Sequence, residues 1–208
     1  MLGGVPRVSA AYHAARRRQI LDAARARFAR DGFHAASMDD IIAEAGVSPS
    51  TVYRQFEGKE ALVRAVVDDV LDEFSSLLRA TLSAGHSPAD VIARVLDSAP
   101  SSNGAARRQG RAIAIYAWAE AQRDAALRRH LRGRYLELIG VSERLLARLR
   151  DEGALPADAD VGGLAQALAA LVPGSYIVGM LLGETKVAAA VASLVGRGRP
   201  RRRRGPAG

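Results

Sequence analysis

Apolar residues in this chain recur three and four positions apart over nearly its whole length, and no stretch sustains the strict alternation of a half-buried strand. The chain must therefore fold from amphipathic helices packed on one another, an all-α architecture. Ile20, Leu21, Ala24 and Phe28 form one face of a first helix, which the glycine of Asp31-Gly32 ends. Ser37 caps a second helix, Asp40 approximates a capping box, and Ile41, Ile42 and Ala45 face inward until Gly46 stops it about two turns later. Ser48 caps a third, with Pro49 at the first helical position, where a missing N–H costs nothing.

The next helix, expected over residues 59–81, carries Leu62, Val63, Val66, Val67, Val70, Leu71, Phe74, Leu77 and Leu78. That is too many apolar positions for one stripe, so it must touch two bodies. Further helices are expected over 88–98, 105–119, 124–152, 160–183 and 185–195. Residues 161–183 contain no charge and are long enough to span a bilayer. Gln166, Pro173, Ser175, five glycines and much alanine argue instead for burial, in a core or a subunit interface.

Charge and cysteine narrow the function. The absence of cysteine excludes disulfides, thiolate metal sites and cysteine nucleophiles. The net charge of +8 resides at the ends: residues 1–60 carry 9 basic and 7 acidic groups, 61–196 carry 15 of each, and 197–208 carry 6 and none. Residues 1–15 read as a disordered arm and 197–208 as a disordered Arg-rich tail, which is either an inert solubilising segment or one that adds salt-sensitive, sequence-independent affinity for nucleic-acid phosphates. The basic cluster Arg16–Arg18 follows the apolar N-terminal stretch instead of preceding it, the wrong order for a secretory signal, so a cytoplasmic protein is expected. His13, His34, His86 and His130 fall in separate elements without metal-ligand spacing, and no nucleophile elbow, phosphate loop or dinucleotide fingerprint occurs. The chain reads as neither an enzyme nor a metal or cofactor protein.

Residues 37–56 form a short helix, a Gly-containing turn and a second short helix, the layout of a helix-turn-helix, whose second helix enters the major groove. Val52 anchors that helix while Ser50, Thr51, Tyr53 and Arg54 carry donors outward. The run SMDDIIAEAGVSPSTVYRQFEGKEAL over residues 37–62, with the preceding first helix, resembles the DNA-binding signature of the TetR family of bacterial transcriptional regulators. Serine at 50 and glutamine at 55 stand where that pattern has glycine and histidine, which bears on base preference.

The resemblance implies that Ser37 holds a phosphate, that Ser48, Ser50 and Thr51 approach bases or phosphates, and that Tyr53 and Lys59 bond the backbone. It also implies a DNA-binding domain over 16–60, joined by the long helix to an effector-binding and dimerisation domain over 61–196. The expected assembly is a homodimer formed by the last two helices, about 160–195, on a double-stranded operator. A repressor released by a small apolar or amphipathic effector is the expected mode. Phe74, Leu78, Trp118, Tyr135, Ile139 and Tyr176, large residues on four helices, are the candidate cavity wall. The alternatives are a non-specific nucleoid-type DNA binder and a helical protein-interaction module.

Overall fold

The computed structural model describes residues 10–83, 90, 104–182 and 187–196. Among the described residues there are eight helices and no strand: α1 (Ala10–Ala35), α2 (Met38–Ala45), α3 (Pro49–Gln55), α4 (Lys59–Ser83), α5 (Gly104–Glu120), α6 (Ala125–Asp151), α7 (Val161–Leu182) and α8 (Val187–Gly196). The helix expected over 88–98, apart from Asp90, and the Arg-rich tail lie outside them.

The first departure from expectation is at the start. In place of a disordered arm reaching residue 15, α1 is helical from Ala10. Its opening sequence, AAYHAARRRQ, is almost entirely Ala, Arg and Gln, side chains that lose little freedom in a helix. At its other end Gly32, with φ 78° and ψ 170°, interrupts the helix as expected, but another turn follows as far as Ala35. Glycine alone takes that φ without a Cβ penalty. Beyond the break the Phe33 ring meets Phe28 edge-on, with centroids 5.2 Å apart, and Tyr116 of α5 at 6.1 Å.

The chain divides into two compact units, each considered by itself: Met1–Val70 with Gly104–His130, and Leu71–Asn103 with Leu131–Gly208. The first extends well past the boundary expected near residue 60. In it α1 packs on α2 and α5, and Ile20, Phe28, Ile41, Val52, Leu62, Val66 and Ile113 are fully buried. Arg25 is also buried, at 4% exposure, and donates to Asp69 Oδ2 at 3.2 Å. The other Asp69 oxygen accepts from Arg18 at 2.6 Å, and that bond holds the Arg18 pKa above its ordinary value.

In the second unit, Leu78, Leu138 and Val172 form one apolar cluster, with Phe74, Leu168 and Tyr176 against it. Leu146, Leu149 and Ala165 form another, joined by Ile139 and Leu155. Arg134 pairs with Asp72 and Glu137. Burial of the uncharged helix in the protomer's own core is not observed: only Ala165 and Val172 of α7 are buried, and Ile177, Met180, Leu181 and Leu182 are exposed.

Candidate nucleic-acid interface

The helix-turn-helix is fixed by three local devices. Ser37 Oγ accepts from the Asp40 N–H at 3.1 Å, while Asp40 Oδ2 accepts from the Ser37 N–H at 3.2 Å and from its hydroxyl at 2.7 Å, a complete capping box. Gly46, left-handed at φ 62° and ψ 32°, closes α2 by donating to the carbonyls of Ile42 and Ala43. Ser48 then caps α3 through the Thr51 N–H at 3.3 Å, with Pro49 in the first turn. Each device satisfies backbone groups that short helices otherwise leave open.

The Ser37 bonds also hold the Asp40 carboxyl below its ordinary pKa, with Arg27 at 2.8 Å adding to the effect. A depressed carboxylate pKa gives stability that is present above the unfolded value and lost as pH falls through the folded one. Asp40→Asn should therefore lower the melting temperature at neutral pH. The gap to the parent should close as the pH drops below the carboxylate range. A gap independent of pH in thermal melts would show that the charge is not the source.

On α3 the buried Val52 is the anchor and the opposite side is open: Ser50, Tyr53 and Arg54 are exposed and Thr51 is half-buried. Ser48 Oγ lies 3.1 Å from Ser50 Oγ and 2.9 Å from Thr51 Oγ1, so three hydroxyls share one cluster at the start of the helix. Their protons can turn toward each other or toward an incoming acceptor. The Ser37 proton, by contrast, is given to Asp40. Lys59, in the first turn of α4, donates to the His34 carbonyl at 3.0 Å, and the His34 ring meets Glu120 at 2.6 Å. The seven residues singled out for DNA thus share one unit with the helix-turn-helix.

The six cavity candidates are dispersed. Phe74, Leu78 and Tyr176 share one cluster, Ile139 belongs to the other, Tyr135 is half-buried on α6, and Trp118 lies on α5 in the first unit. Phe74 and Leu78, with Leu138, Ser142, Leu168 and Ala169, line a cavity of about 10 Å³, room for roughly one water. No group of three or more potential metal ligands occurs among the described residues. Sequence reasoning missed the ordered first turns of α1, although their Ala-rich composition carried the signal, and the Arg25–Asp69 pair, for which there was none.

Residues 20–66 match the family described as bacterial regulatory proteins, tetR family. Residues 88–198, more than half the chain, match the C-terminal domain of BetI-type transcriptional repressors. The chain is a TetR-family transcriptional regulator. Among its relatives, the transcriptional regulator UidR of Escherichia coli is 30% identical over 135 residues, 65% of either protein. The regulator BetI of Brucella anthropi is 27% identical over 86% of this chain and 89% of its own. Salmonella enterica GusR has the same fold, with a TM-score of 0.73 at 23% identity over 92% of this chain and 97% of that one. So does a regulator from Saccharomonospora viridis solved in complex with choline, with a TM-score of 0.67 at 20% identity over 88% and 94%. The tetR-family match over residues 20–66 takes in the whole of α2 and α3, the open side of α3 included.

Proposed function

We propose that this regulator is a repressor that binds a pseudo-palindromic operator as a homodimer and is released by a small apolar or amphipathic effector. The observation that carries the DNA reading is α3 itself: one buried valine holds it, and Ser50, Tyr53 and Arg54 are all exposed on its surface. Tyr53 and Lys59 then fix the protein on the phosphate backbone, and Ser50, Thr51 and Arg54 face base edges, with Ser37 and Ser48 flanking them. Lys59→Ala should weaken binding to all sequences about equally and lower the salt slope by roughly one ion, whereas Ser50→Ala and Thr51→Ala should reorder preference among operator variants. Operators selected from fragmented genomic DNA provide the probes. Full affinity in a protein carrying both Tyr53→Ala and Lys59→Ala would overturn the assignment.

The exposed apolar end of α7 supports the dimer, since in the protomer alone Met180, Leu181 and Leu182 meet water. The helix is long and apolar enough to cross a membrane, with a mean hydropathy of 1.6, but burial against a second copy suits a helix with Gln166 and Pro173 inside it.

For the effector, α4 is the transmitting element. It carries Lys59 in its first turn and Phe74 and Leu78 later in its length. Because the cavity beside Phe74 and Leu78 holds about one water, an effector entering there must displace its walls, α4 among them. Near-complete release requires the effector to prefer the non-binding state by about 5.5 kcal/mol. Choline, bound to the Saccharomonospora viridis relative, is a quaternary ammonium cation whose charge is covered by methyl groups, and the rings of Phe74 and Tyr176 are suited to such a cation, which makes it the first candidate to try. Saturable loss of operator affinity in a choline titration, blunted by Tyr176→Ala, is the expected result; release that is unchanged in Tyr176→Ala would place the effector elsewhere.

A further inference from the structure

The ordered first turns of α1 precede the tetR-family match, which begins at Ile20, and they carry an unneutralised charge. No acidic residue occurs from Ala10 to Leu21. Further along, the arginines of α1 are matched by carboxylates: Arg18 by Asp22 and Asp69, Arg25 by Asp69, Arg27 by Asp31, Asp40 and Glu44, and Arg30 by Asp31 and Glu44. Arg16 and Arg17 differ, because their contacts are with neutral groups. Arg16 donates to Gln19 Oε1 at 2.7 Å and lies 5.0 Å from the Tyr12 ring centre, and Arg17 lies 4.5 Å over the ring of Phe56. Neither meets a carboxylate among the described residues. Each has N–H donors left for a further acceptor.

These contacts also place the two cations. Gln19 Nε2 donates to the carbonyl of Ala45, the last residue of α2, at 2.7 Å, and Phe56 is the residue that closes α3. Arg16 and Arg17 are therefore tied to the C-terminal ends of both helices of the helix-turn-helix. A seven-residue α3 is about 10 Å long, less than the roughly 12 Å width of the major groove, so groups just beyond its end reach the phosphates on the rim.

We propose that Arg16 and Arg17 form a second DNA-contacting surface, gripping the phosphate backbone beside the C-terminal end of α3. The proposal rests on the reading of α3 as the recognition helix. The surface contributes affinity and register, not base selection, because it faces the backbone. Tyr12, 46% exposed, and His13 border it on the preceding turn.

The test uses the full chain and randomised duplex DNA from which the parent has selected its sites. In the pair Arg16→Gln, Arg17→Gln, two fewer phosphate contacts lower the salt slope by about 1.8, so the parent's advantage should shrink about twelvefold between roughly 50 and 200 mM salt. The ranking of selected sequences should not change. Because Arg17 also covers Phe56, the pair Arg16→Lys, Arg17→Lys is measured beside it: a slope kept with lysine and lost with glutamine supports the proposal. Equal loss in both pairs would indicate packing and overturn it. An unchanged slope and affinity in the glutamine pair, with Lys59→Ala still lowering the slope, overturns this surface and leaves the α3 reading standing. If Lys59→Ala and Tyr53→Ala are equally silent, it is the α3 reading that fails.

Discussion

Replacing Phe28 by Ala should cost the helix-turn-helix unit about 3–5 kcal/mol of folding free energy. The ring is fully buried and meets Phe33 edge-on, and Phe33 in turn touches Tyr116, so one side chain supports the packing of α1 on α5 as well as the break at Gly32. A small domain has only about 5–15 kcal/mol in total, so operator binding should be lost at temperatures where the parent is fully folded. Urea denaturation followed by circular dichroism measures the effect. A change below about 1 kcal/mol would mean that α1 is held by contacts other than this ring.

The second large effect concerns assembly. Leu181 is 69% exposed in the protomer, so an arginine there meets water and leaves the fold of a single chain undisturbed. In a two-fold interface the same change buries an unpaired charge on each side, at a cost of several kcal/mol. The dimer dissociation constant of Leu181→Arg should rise on the order of a hundredfold or more. Sedimentation should then find a monomer with unchanged helicity. A normal dimer would exclude this end of α7 from the interface.

The capping box at Ser37 and Asp40, the left-handed Gly46 and the Ser48-Pro49 start of α3 could be read directly, because each device is complete within four residues. The start of α1 was harder to read: the ten residues preceding the first core residue, Ile20, include eight good helix formers but offer no apolar face to signal a helix. The Arg25–Asp69 pair spans 44 positions, and in a chain so rich in arginine nothing local marks the one that becomes buried.

The candidate cavity was legible only as a set of large residues. Phe74, Leu78 and Tyr176 do meet in one cluster, but Trp118 belongs to the other unit and Ile139 to a different cluster, since helical spacing fixes a face and not the neighbour it finds. The same holds for α7. An all-round apolar composition suits a core, a membrane and a subunit interface alike; the exposure of Met180, Leu181 and Leu182 argues only against the first, and the dimer proposed above rests on Gln166 and Pro173 lying inside the helix as well.

The central claim is that α3 reads specific DNA as part of a two-fold assembly, and footprinting of the regulator on its selected genomic fragments tests it most directly. The account predicts a bounded footprint over one pseudo-palindrome, with two symmetric protected half-sites whose centres lie about 34–36 Å, one helical turn, or a multiple of it apart. Protection that spreads evenly along the fragment with no preferred boundary, or a single half-site with no symmetric partner, would contradict it.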